Sequence, residues 1–220
     1  MTDHSASSID DRVIALWEIV SVLTSCFIAE WFFLSFFARQ RVLVILPALL
    51  AFFLILSSQR VRKETSSDLG LGLTKFWAAT RLLIFPTIAV VLVILVISRV
   101  RIGGTLPQLV LRPRFLFVPF WAFFQQYVLQ GYINRRAQIV FGRGWTSIAF
   151  VATVFACAHL PNPLLTVLTA VGGFVWAAVY QRQPNLLALA LSHTAASITL
   201  ALAVPPQFLN GLRVGFKYFG

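Results

Sequence analysis

Six side chains able to hydrogen-bond or move protons stand inside otherwise apolar stretches in the second half of the chain. Gln125, Gln126 and Gln130 lie in FFQQYVLQGYINRR, His159 ends Phe155-Ala-Cys-Ala-His159, and His193 and Ser197 bracket His193-Thr-Ala-Ala-Ser197. On a helix Gln126 and Gln130 share one face, with Gln125 about 100° around from Gln126. His193 and Ser197 are one turn apart by the same rule. Imidazoles exchange protons or ligate metals, whereas carboxamides and hydroxyls only hydrogen-bond. Polar groups at lipid depth turn inward and are functional candidates by default. The six therefore either converge on one buried polar site or act as interhelical glue, worth about 0.6 to 2 kcal/mol per hydrogen bond.

The elements that must position them are apolar helices. Of the 220 residues 59% are hydrophobic and only 11% charged, with a mean hydropathy of +0.84. A soluble domain carries about 25% charged residues, and a disordered chain needs low hydrophobicity, so both classes are excluded. At about 20 apolar residues per crossing there is room for roughly six to eight spans. The net charge of +11 is spread over the connections between apolar runs, where bases anchor helix ends and meet anionic headgroups. Nucleic acid is not the expected partner; membrane lipids are.

The expected architecture is an all-α, polytopic transmembrane bundle of about seven spans. A polar tail, residues 1–12, lacks the basic start and small-residue cleavage site of a secretory signal. Apolar runs follow over about Val13–Ala38, Val42–Ser57, Leu82–Ser98 and Phe115–Ile133. The uncharged stretch from Gly144 to Gln181 is too long for one span and breaks at Pro161-Asn162-Pro163. The last run, Asn185–Val204, stops at Pro205-Pro206. Arg39-Gln40-Arg41 is a tight connection, Arg99 to Arg114 an irregular one with Gly103-Gly104, and Asn134 to Arg143 a loop. Residues 13–204 form one domain and 205–220 a C-terminal tail. The 18 Lys+Arg split almost evenly between the two sides, so the positive-inside rule sets no orientation. The expected location is that of an integral, multi-pass membrane protein, in the inner or plasma membrane if the source is a bacterium. Cys26 and Cys157 sit in separate apolar runs as core residues rather than a redox pair.

With three motif blocks in order, about Phe115 to Leu200 resembles the CPBP (Abi, or CAAX-protease-like) intramembrane protease family. That family carries EExxxR followed by Gly, then FxxxH, then HxxxN or HxxxD on a later helix. Gly131, Phe155, His159 and His193 match, and Asp68-Leu-Gly-Leu is an upstream echo. Gln125-Gln126 stand where the resemblance implies Glu-Glu, Gln130 where it implies Arg, and Ser197 where it implies Asn or Asp. The resemblance implies a first glutamate that activates water with help from the histidines, and an Asn that stabilises the oxyanion.

A carboxamide has no useful basicity, and losing a positioned base costs roughly 10²- to 10⁴-fold. Exchanging two carboxylates and a guanidinium for three amides removes every formal charge while keeping hydrogen-bonding capacity, as expected of a site converted from catalysis to structure. Only Glu18 and Glu30 lie within an expected span, about 18 Å apart along one helix and about 120° around it. Either alone can face the histidines; Glu18 can instead reach the interface, and Glu30 is expected to be paired. His159 and His193 are weak metal candidates, because zinc usually takes three protein ligands or more, so zinc is not favoured.

Two function classes follow. The first is a catalytically inactive protease relative acting as accessory or scaffold subunit of a larger membrane complex, with other membrane subunits as partners. Its specific version is a photosynthetic reaction-centre subunit contacting chlorophyll-type pigments, with His159 and His193 as candidate ligands and the aromatic first helix (Trp31, Phe36, Phe37) as a packing surface. The alternative is an active intramembrane endopeptidase with a non-standard base. An enzyme predicts Glu30 or Glu18 near the histidines; a scaffold predicts glutamines bonded directly to histidines and no cavity.

Overall fold

The computed structural model describes residues 3–37, 41–101 and 113–220. Residues 39–40 of the first connection, and 102–112 with Gly103-Gly104, lie outside that range. Among the described residues there are seven helical rods and no strand. α1 is Asp3–Phe27, continued by a π-helical turn Ile28–Phe33 and a short α-helical end Leu34–Phe36. α2 is Arg41–Val61 and α3 is Phe76–Arg101, which holds Pro86 inside it. α4 runs Val118–Gln126, through a π-helical stretch Tyr127–Asn134, into Arg135–Phe141. α5 is Trp145–Cys157, α6 is Pro163–Arg182 and α7 is Leu186–Ala203.

Four helices are long and apolar enough to cross a membrane, Asp10–Phe33, Phe76–Val100, Pro163–Arg182 and Leu186–Ala203; Ile45–Val61 and Trp145–Cys157 are shorter apolar helices. Large apolar side chains such as Phe85 and Phe120 lie 80% and 75% exposed, a cost that only lipid as the surrounding solvent removes. The protein is an integral, multi-pass, all-helical membrane protein. Both cysteines are free thiols.

Start signals are local. Asn162 accepts a hydrogen bond from the Leu165 N–H, with Pro163 in the first turn, and Asn185 caps α7 by accepting from the Ala188 N–H; each satisfies a backbone donor that would be orphaned at a helix start. α5 and α6 pack closely because position 173 is glycine: a Cβ there would lie 3.2 Å from the Ala152 Cα and 3.4 Å from the Phe155 Cβ. Lipid supplies no hydrophobic drive between helices, so such close approach is how they gain contact.

The stretch expected as a loop from Asn134 to Arg143 is helical as far as Phe141. The charges that suggested a loop are instead neutralised in place. Arg136, 0% exposed, pairs with Glu18 at 2.9 Å and with Glu64 at 2.7 Å, donates to Ser58 Oγ, and lies 4.9 Å from the Tyr132 ring centroid. Arg135 pairs with Glu64 as well, and Arg62 with Glu18 and Asp11. Glu18 is thus an internal ion-pair partner, linking α1 to α2 and α4.

Burial alone would raise the Glu64 carboxyl, but the hydrogen bonds and charges of Arg136 and Arg135 prevail and hold it below its ordinary 4.5. A depressed folded value means a stabilising contribution that is complete above about pH 4.5 and is lost as pH falls through the folded value. Thermal unfolding in detergent is expected to be level from pH 8 to about 5 and to fall below 4.5, with a shallower fall in Glu64→Gln.

Candidate intramembrane site

α3, α4, α6 and α7 surround a cavity of about 720 Å³, completed by Glu30 from α1, by His159 just past α5, and by residues of the C-terminal segment. Of the six expected side chains, Gln125, His159, His193 and Ser197 line it. Gln126 and Gln130 do not: both are fully buried behind it. The three glutamines therefore do different things, and the 100° offset between Gln125 and Gln126 is what divides them.

Gln126 Nε2 lies 3.3 Å from His193 Nδ1. An amide nitrogen can only donate, so Nδ1 accepts and the ring carries its proton on Nε2. His159 is fixed in the opposite sense. Its Nδ1 lies 2.8 Å from the Phe155 carbonyl, which can only accept, so Nε2 keeps a bare lone pair. The cavity thus holds one imidazole proton donor and one imidazole acceptor. Phe155 sets both rings edge-on, at 4.8 Å from His159 and 5.8 Å from His193.

Trp176, from α6, fixes the His193 plane, with ring centroids 4.4 Å apart and 33° between planes. Its Nε1 donates to Ser192 Oγ, which shares a 2.7 Å hydrogen bond with Thr87 of α3. Sequence reasoning missed this clamp. The available signals were a lone tryptophan in α6 and a serine directly before His193.

Gln130, at the family's arginine position, belongs to a neutral ladder. It accepts from Asn134 Nδ2 at 2.7 Å, and Asn134 Oδ1 accepts from Gln181 Nε2, which also donates to Ser147. Gln126 Oε1 and Gln130 Nε2 are left without a hydrogen-bond partner. The two residues lie next to and within the π-helical stretch of α4. Single-turn π segments are frequent at functional sites.

Glu30 also lies on a π-helical turn. Contrary to expectation it has no hydrogen bond or ion pair among the described residues, because the helix turn directs it to the cavity. No group of three or more His, Cys, Asp or Glu able to hold a metal occurs among the described residues.

The two histidines thus line a cavity enclosed by apolar helices. The comparison with known families falls on the same stretch: the family model described as type II CAAX prenyl endopeptidase Rce1-like matches residues 107–199. Over that segment the chain is similar to this family, on the stretch that carries the three motif blocks. No curated protein and no solved structure matches the chain.

Proposed function

We propose that this protein is a CAAX-protease-like membrane protein whose cavity holds a ligand without hydrolysing it, and that it serves as an accessory subunit of a membrane assembly. The observation that carries the reading is Gln125. It is the motif residue that reaches the cavity in the position of the family's water-activating base, and an amide cannot take a proton from water at working pH. Gln126 is committed to His193, and Glu18 is committed to Arg62 and Arg136, so neither supplies the missing base. The presence of a cavity departs from a purely structural relict and favours binding.

The test uses a prenylated CAAX peptide with the full chain in proteoliposomes. Saturable binding is expected, with cleavage no faster than in empty vesicles; cleavage at an enzyme's rate overturns the reading. Glu30 in the same cavity favours a second reading, hydrolysis with a relocated base. Under it, turnover is measurable and Glu30→Gln abolishes it. For the pigment version of the subunit role, His159 Nε2 is the one ring nitrogen of the pair free to ligate magnesium, and tetrapyrrole absorption of the natively purified complex is its readout.

A further inference from the structure

Glu30 is the carboxylate in the cavity that the site's own hydrogen bonding leaves unused. The walls around it are largely apolar, formed by side chains such as Val90, Ile94, Leu168 and Val175. An ionised carboxylate in such surroundings is costly unless a cation meets it. No arginine or lysine on the seven helices pairs with Glu30 among the described residues.

The cation whose charge reaches Glu30 is Lys217, from the C-terminal segment. That segment is strapped across this end of the cavity. Asn162 Nδ2 donates to the carbonyls of Leu209 and Arg213, and the Gly215 N–H donates to the Leu160 carbonyl at 2.7 Å. Phe216 packs its ring 6.1 Å from Trp31 and 5.6 Å from Phe36. Gly215 has φ +58°, and a Cβ there would stand 3.0 Å from the Trp31 ring, so the strap approaches α1 only through glycine. The same residue touches Trp31, next in sequence to Glu30, and Leu160, next to His159, and both Glu30 and His159 line the cavity.

We propose that the cavity binds a cationic amphiphile, its protonated amine at Glu30 and its hydrocarbon chain along the apolar walls of α3, α6 and α7, with Lys217 competing for the same carboxylate. This rests on the reading that the cavity holds a ligand. Cys26 also lies near Glu30, and a cysteine brings no positive charge to it. A carboxylate–ammonium contact in a poorly hydrated pocket outweighs the same contact at a surface, because screening is weaker there.

Full-length protein in neutral maltoside is titrated with dodecylamine, dodecanol and dodecanoate, and retention is read by native mass spectrometry. Dodecylamine is expected to bind roughly tenfold or more tighter than dodecanol, with dodecanoate weakest. Glu30→Gln is expected to erase the amine's advantage, and Lys217→Gln to enlarge it several-fold, as removal of a competitor should. Equal affinity of amine and alcohol, or an advantage that survives Glu30→Gln, overturns the assignment of Glu30 while leaving ligand binding in place. Failure of all three chains to bind overturns that underlying reading too. Retention of phosphatidylethanolamine over phosphatidylglycerol identifies the bilayer as source of the amine; retention of dodecylamine alone identifies a free amphiphile. Both outcomes support the ammonium site.

Discussion

A variant carrying Gln125→Glu, Gln126→Glu, Gln130→Arg and Ser197→Asn together is expected to cleave a prenylated CAAX peptide roughly 10²- to 10⁴-fold faster than the wild-type chain, the range a positioned general base contributes. Position 125 lines the same cavity as both histidines, so a carboxylate there adds a base to the space they face. The single change Gln125→Glu is expected to give the larger part of the gain. Gln126→Glu alone should instead destabilise, because position 126 is fully buried and a carboxylate there has no cation until Arg stands at 130. Gln126 Oε1 and Gln130 Nε2 are both unpartnered, so a charged pair at these positions would displace no existing hydrogen bond of those two atoms. Ser197→Asn adds an amide donor to the cavity wall; one such donor is worth roughly 10²- to 10³-fold in kcat when aimed at an oxyanion. Equal rates for wild type and the fourfold variant would mean that base loss is not what separates this cavity from hydrolysis. Measurable wild-type turnover that Glu30→Gln abolishes would move the base to α1.

Much of this architecture is readable from one-dimensional pattern. Apolar run length and Pro-Asn-Pro punctuation locate the helices, because a membrane demands internally satisfied backbone over a fixed thickness. Motif order puts His159, His193 and Gln125 on separate helices of one bundle; the structure has His159 just past the end of α5 rather than in it, and the cavity gathers all three. What escapes the sequence is side-chain choice between partners distant in the chain. Glu18 and Glu30 share one helix and one residue type, yet one is locked to Arg62 and Arg136 and the other faces the cavity. The π-helical turn at Ile28–Phe33 changes the angular register that a regular 3.6-residue count assumes, and no pattern in IAEWFF announces it. The Asn134–Arg143 loop fails for the same reason. Two adjacent arginines read as a membrane boundary until Glu64, 71 and 72 positions earlier in the chain, folds back onto them. The Trp176–Ser192–Thr87 clamp is invisible because each member is, by itself, an ordinary residue of an apolar helix.

Arg136→Met is expected to cost about 3 to 5 kcal/mol of stability, the range for removing one partner from a buried ion-pair network. The guanidinium has no exposure, and it meets Glu18, both oxygens of Glu64 and Ser58 at once. Its loss leaves Glu18 with Arg62 and Ser58, and Glu64 with Arg135, each short of charge and hydrogen bonds in a largely buried place. Against a total stability of about 5 to 15 kcal/mol, that is enough to lower the thermal midpoint in detergent by many degrees. Arg136→Lys should recover little, since a point charge cannot meet two carboxylates and a hydroxyl in one plane. Combining Arg136→Met with Glu64→Gln should cost less than the sum of the two changes, because the second removes the charge that the first orphans. A thermal midpoint for Arg136→Met equal to wild type would show that the cluster is solvated and contributes nothing. Strict additivity in the double variant would show that Arg136 and Glu64 do not act on each other. The network lies apart from the cavity, so the predicted losses in stability should leave binding by the remaining folded protein unchanged, separating what holds α1, α2 and α4 together from what the histidines do.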